Sequence, residues 1–160
     1  MRTVCAFELA VAVVTLASVA VQAADVGEQI DKYFELATDG KDEAAAKKLG
    51  DEIMTGAAKD ANVLNDFAWK ILTEEGIKKR DFELAMRAAK AAYDVCEGKE
   101  AHIVDTYARA LFDTGKVADA IKFQKKALEL CQDEDLKGEL EETLKRYEKK
   151  AEEKKTEEKK

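Results

Sequence analysis

Residues 101–134, AHIVDTYARALFDTGKVADAIKFQKKALELCQDE, carry the pattern from which the rest of the chain is read. Ile103, Val104, Tyr107, Ala108, Leu111 and Phe112 recur three or four positions apart, the spacing that places apolar side chains on one face of an α-helix rather than a strand. Asp113-Thr114-Gly115 then breaks the run with a glycine, which tolerates the left-handed turn after a helix. A second stripe follows at once, made by Ala120, Ile121, Phe123, Ala127, Leu128 and Leu130. The stretch therefore predicts two helices joined by a tight turn.

Outward from this hairpin the pattern recurs. Ala85 and Ala92 precede Ala120 and Ala127 by 35 residues, Cys96 precedes Cys131 by the same 35, and Phe67-Ala68 precedes Tyr107-Ala108 by 40. The difference between the two offsets falls in Gly76 to Arg80, a turn, where extra residues leave the helices in phase. Small residues at matched positions let two helices approach closely, while aromatic and branched residues fill the space around them. Upstream, Val26, Ile30, Tyr33, Phe34 and Ala37 line a first helix ended by Asp39-Gly40, and Ala45, Leu49, Ile53 and Ala57 line a second. After a break at residues 59–62, a third helix carries Leu64, Phe67, Ala68, Ile71 and Leu72 and closes at Gly76. The fourth, with Asp81 as its cap, carries Phe82, Ala85, Met86, Ala89, Ala92 and Tyr93. A seventh begins near Asp133 with Leu136, Leu140, Leu144 and Tyr147 on one face, and then gives way to Lys and Glu.

Composition agrees with an all-α chain. Of 160 residues, 46% are apolar and 38% charged, which suits one small domain with a well solvated surface. Proline is absent, and Ala, Leu, Glu and Lys, which lose little side-chain freedom in a helix, dominate. A net charge of −7 repels phosphate backbones and anionic lipid, so neither nucleic acid nor a membrane surface is an expected partner. Met1-Arg2, the apolar run from Leu9 to Val21 and the small residues at Ala23-Ala24 follow the order of a secretory signal peptide. The run is shorter than the roughly 20 residues of a spanning helix, although extending it back across Glu8 gives a marginal anchor, the alternative to cleavage. Cys5 precedes the run and so does not suit a lipidated mature start. The expected organisation is a signal peptide over 1–23, a helical domain over 24–147 and a charged Lys/Glu tail over 148–160 that frays and is disordered or semi-helical, with a product that is periplasmic or extracellular and free of the membrane.

The positions Val104, Tyr107, Ala108, Leu111, Gly115, Ala120 and Ala127 fall at the spacing of the tetratricopeptide signature. Residues 101–134 resemble that family well, 62–98 follow it with a longer turn, and over 26–57 only Tyr33, Gly40, Ala45 and Leu49 fit. The proline that usually ends each repeat is missing. The resemblance implies a short α-α solenoid of about three helical hairpins, with the seventh helix covering the apolar face of the last one. More narrowly, Leu64-Asn65, Ala68-Trp69, Asp105-Thr106, Ala108 and Gly115 to Gln124 are similar to helical segments attached to exported bacterial thioredoxin-like proteins. The chain has neither a Cys-x-x-Cys motif nor a strand-rich segment, so redox activity does not carry over.

In that family ligands are held on the concave surface formed by the first helix of each pair. Carried over, that face would comprise Asn62, Asn65, Trp69 and Thr73 in one repeat, and His102, Asp105, Arg109 and Asp113 in the next. These are hydrogen-bonding groups beside an aromatic, suited to an extended or helical peptide. The alternative is that Trp69 packs on the first helix pair and the polar groups are simply solvated. The basic clamp for a C-terminal carboxylate is not reproduced, because Asn65 and Trp69 supply no lysine.

Cys96 and Cys131 are the two cysteines left after signal removal. Matched positions on neighbouring repeats sit about one helix-packing distance apart, roughly 8–10 Å, beyond the span of a disulfide. They are expected to be unpaired, partly buried thiols at helix ends. His102 is the single histidine and has only one carboxylate, Asp105, three or four positions on, too few ligands for a metal, so no metal site is expected. With no phosphate loop, serine elbow or zinc motif, no cofactor and no catalysis are expected either. The leading function class is a non-catalytic scaffold in the cell envelope holding a protein or peptide. An accessory subunit of an extracytoplasmic thioredoxin-like redox or cell-wall assembly comes second and an enzyme last, with self-association as credible as peptide capture.

Overall fold

A computed structural model describes residues 26–38, 40 and 42–157, and every element among them is helical. The signal peptide expected over residues 1–23 lies outside the described residues. Helix α1 spans 26–38, followed by α2 (Glu43–Gly56), α3 (Ala61–Thr73), α4 (Phe82–Val95), α5 (Ala101–Asp113), α6 (Val117–Leu130) and α7 (Glu134–Glu157). Helices α3 and α5 have 13 residues each, and α2, α4 and α6 have 14. The bounds of α4 and α6 differ by 35 at both ends and those of α3 and α5 by 40, the same offsets that the alanines mark in the sequence.

Aspartates set most of the helix starts. Asp42 accepts from the Ala45 amide at 2.9 Å, Asp60 from Asn62 and Val63 at 3.1 Å, and Asp81 from Leu84 at 2.8 Å. Asp133 starts α7 in the same way, accepting from Asp135 and Leu136 at 2.9 and 3.1 Å. Each side-chain oxygen satisfies amides that have no partner within the helix, worth about 1 kcal/mol per cap. Helix α5 ends at a glycine: the Lys116 amide reaches the Leu111 carbonyl and the Gly115 amide reaches Phe112, both at 2.9 Å, with Gly115 at φ 82°.

At the end of α4 the equivalent left-handed position is held by Glu97, at φ 54°. A side chain there crowds its own backbone. Glu97→Gly is expected to stabilise the protein by about 0.5–1 kcal/mol, the conformational relief exceeding the added freedom of the unfolded chain. The ion pair lost with Lys99 has both side chains 71% exposed and adds little. Urea melts of the two proteins check this, and an unchanged or lower midpoint in the variant contradicts it.

Packing runs along the chain. Helix α3 lies on α4, α4 on α5, α5 on α6 and α6 on α7, while α3 also touches α5. The main core joins α1 through α5 around Tyr33, Ile53, Leu64, Phe67, Ile71 and Leu84, all buried. Two smaller clusters, around Ala108, Leu111, Ala120 and Tyr147 and around Val104, Ala127 and Leu140, bind α5, α6 and α7 together. The alanines read as contact points, Ala68, Ala85, Ala108, Ala120 and Ala127, are all 0% exposed. The stripe on α4 is shifted from its expected place: Phe82 is 39% exposed, while Leu84 and Ala88 are buried. Gly50 explains part of this, because a Cβ there would meet Leu84 Cδ2 at 2.5 Å. A mid-helix glycine costs up to about 1 kcal/mol, and here it gives Leu84 its seat against the α2 backbone.

The Lys/Glu segment expected to fray after Tyr147 is helical as far as Glu157. Lys125 on α6 pairs with Glu148 at 2.9 Å, Lys150 pairs with Glu153 at 3.2 Å, and Lys154 donates to the Gly115 carbonyl at 3.3 Å. Each contact is exposed and weak, yet they continue a helix already nucleated by the buried part of α7, so no fresh initiation is needed.

Candidate partner-binding face

The residues expected on one outward face separate into two groups. Asn62 and His102 are exposed, and Trp69 is 42% exposed. Trp69 is thus not buried against the first helix pair. Thr73 is half-buried and its hydroxyl donates to the Trp69 carbonyl at 2.8 Å, a bond internal to α3. Asn65 does not face outward: it is 6% exposed, and its amide donates to Asp66 at 3.4 Å.

On α5 the other three polar residues are engaged within the chain. Arg109 Nε donates to Asp113 Oδ2 at 2.7 Å, one helical turn on, with the side chains 27% and 17% exposed. Asp105 accepts from Gln124 Nε2 of α6 at 2.8 Å, and the same amide donates to the Leu140 carbonyl of α7 at 3.3 Å. Burial raises the Asp105 carboxyl above its ordinary range, opposed by the Gln124 bond and the positive charges of Arg109 and Arg146. Tyr147 of α7 is fully buried and stacks on Phe112 of α5, centroids 4.2 Å apart and planes 17° from parallel. Burial first and the charge of Asp105 second push the Tyr147 phenol up to about 12. Arg146 lies over both rings, 5.8 Å from Phe112 and 5.4 Å from Tyr147.

Helix α7 therefore approaches the α5 surface on which a ligand was expected at Asp105, where Arg146 and Glu139 face the carboxyl, while His102 stays exposed. The junction turns on Gln124, Phe112, Leu140 and Tyr147, none of which belonged to the expected set. The signal that pointed to Gln124 is a polar side chain between Ala120 and Ala127 on a helix face that is otherwise buried.

A concavity elsewhere in the molecule was not foreseen. Helices α1 and α2 and the long turn before α4 enclose a cleft of about 450 Å³ lined by Tyr33, Leu36, Ala37, Ala46, Phe82 and the segment Lys78 to Asp81. The inserted turn found by counting offsets is its wall. Its rim charges are mostly spent within the chain. Lys79 pairs with Glu43 at 2.7 Å, and the Arg80 guanidinium donates to the carbonyls of Ile71, at 2.6 Å, and Glu74.

Cys96 and Cys131 are free and half-buried, as expected, each immediately after a 14-residue helix. Their thiols lie 3.4 Å from the Tyr93 carbonyl and 3.2 Å from the Asp133 carbonyl. Among the described residues no group of three His, Cys, Asp or Glu side chains converges as a metal site, and no helix is long and apolar enough to cross a membrane. Compared with family models, with curated proteins and with solved structures, the chain matches none.

Proposed function

We propose that this chain is a non-catalytic scaffold of tetratricopeptide type that acts outside the cytoplasm, binding a protein or peptide at the outer side of α3. The observation that carries the reading is Trp69, a large aromatic left 42% exposed on a helix whose Leu64, Phe67, Ile71 and Leu72 are buried. Such amphipathic rings dominate protein contacts when a partner covers them. Asn62 is exposed on the same helix and His102 is exposed at the start of α5, so both offer free hydrogen-bonding groups to a partner. The alternation of 13- and 14-residue helices supports the repeat part of the proposal, and the tripartite start supports export.

The test is capture of partners from an extracytoplasmic fraction, comparing the native chain with Trp69→Ala, His102→Ala. Arg109 is a poor choice for such a variant, because Arg109→Glu would set a third carboxylate beside Asp105 and Asp113. Both chosen positions are exposed, so the variant should fold with its stability changed by no more than about 0.5 kcal/mol at each site. Loss of at least one partner that the native chain holds reproducibly is the expected result. An unchanged set of partners removes the α3 face from consideration.

A further inference from the structure

Among the polar groups buried between α5, α6 and α7, two oxygens have no hydrogen-bond partner among the described residues, the Tyr147 hydroxyl and the amide oxygen of Gln124. Gln124 is 0% exposed, and its Nε2 already donates to Asp105 Oδ1 at 2.8 Å and to the Leu140 carbonyl at 3.3 Å. Its Oε1 is buried without a partner among the described residues. Leaving a buried acceptor unpaired is costly. An ionised Asp105 can only accept, so it offers Oε1 nothing; a neutral Asp105 has one O–H to donate. An acid and an amide already joined by N–H···O can close a second bond, O–H···O, between the same two groups.

We propose that Asp105 and Gln124 form a proton-dependent acid–amide clasp that fastens α7 to α5 and α6 in acid and slackens as the pH rises. The clasp acts on α7 because the same amide holds the Leu140 backbone, between the buried side chains of Leu140 and Tyr147 and the helix start. The proton adds to the Asp105 carboxylate and is released from it to water, with no other bond made or broken. Charges facing Asp105 are Arg109 from its own helix and Arg146 and Glu139 from α7, while α6 contributes the uncharged amide. Both arginines have other engagements, Arg109 with Asp113 and Arg146 over the two rings, and burial outweighs them. Tyr147, with its phenol at about 12, stays neutral throughout and does not titrate with the clasp.

The sign follows from linkage. A carboxyl raised by folding favours the protonated folded state, so its stabilising contribution is full below the ordinary aspartate range and is lost as the pH rises through the raised value. Asp105→Asn tests this directly, because asparagine makes both bonds with Gln124 at any pH. At pH 7 the variant should melt roughly 2–4 °C above the native protein, and the gap should close as the native Asp105 is protonated. Amide exchange from Leu140 to Tyr147 should slow in the native protein over the same interval and stay constant in the variant. No gap at pH 7, a lower melting temperature for the variant, or a gap that persists unchanged into acid each overturns the clasp. Carboxyl NMR of the native protein provides an independent measure, and an Asp105 that titrates within or below the ordinary aspartate range overturns it as well.

Discussion

Replacing Tyr147 with alanine is expected to remove about 3–5 kcal/mol of stability, the range for emptying a buried aromatic site, and to lower the melting temperature by roughly 10 °C. The ring is 0% exposed and stacks on Phe112 at 4.2 Å, and it closes a cluster with Ala108, Leu111 and Ala120. The cavity it leaves lies between three helices whose small residues already touch, so the walls have little room to collapse. Hydrogen exchange should show α7 opening first, with α3 and α4 keeping their protection. A truncation that removes residues 132–160 should lose at least as much, whereas one that stops after Tyr147 deletes, among the described residues, exposed ion pairs and the exposed Lys154 bond to Gly115, and should cost about 1 kcal/mol or less. Equal melting temperatures for the two truncations would show that α7 does not cap the last helix pair.

Phe67→Ala is expected to act at the other end with similar size, about 3–5 kcal/mol. Phe67 is 0% exposed and meets Tyr33 edge-on with centroids 5.0 Å apart, and Phe34 at 6.1 Å. Aromatic pairs of this geometry add about 0.5–1.5 kcal/mol beyond their buried area. Because both partners belong to α1, the loss should appear as exposure of residues 26–38, while α5 and α6 keep their protection. Phe82→Ala provides the control: its ring is 39% exposed, and the change should stay near 0.5 kcal/mol. Equal costs for the two phenylalanines would mean that α1 is not anchored through this cluster.

These two ends differ in how readily the sequence reveals them. Helices and their phase were legible because alanine and aromatic spacing reports local geometry, and the offsets of 35 and 40 reappear in the helix bounds themselves. Free, half-buried Cys96 and Cys131 followed from the same register. Gly50 was not legible, since nothing near it in the chain announces Leu84 from another helix. The set Asp105, Arg109 and Asp113 was read as outward because periodicity tells which face of a helix is polar. It does not tell whether a later helix returns to that face, and α7 does so at Asp105, where Arg146 and Glu139 face the carboxyl. Past Tyr147 the sequence allows no more than a disordered or semi-helical tail, because pairwise charge energies are small when summed alone, yet they extend a helix whose costly first turns are already made.

The turn between α3 and α4 bears on how such a chain changes length. Its Arg80 side chain closes back on the carbonyls of Ile71 and Glu74, finishing α3 from a distance where α5 is finished by the glycine next to it. One guanidinium thus seals the helix end and fixes where the detour rejoins α4, so a change in the number of residues between Glu74 and Arg80 would fall on the Lys79–Glu43 pair and the cleft wall before it reached the ends of α3 and α4. Variation among chains of this design should therefore collect in that detour, turning the wall of the α1–α2 cleft into the most freely reshaped surface of the molecule while the helices beneath it keep their register.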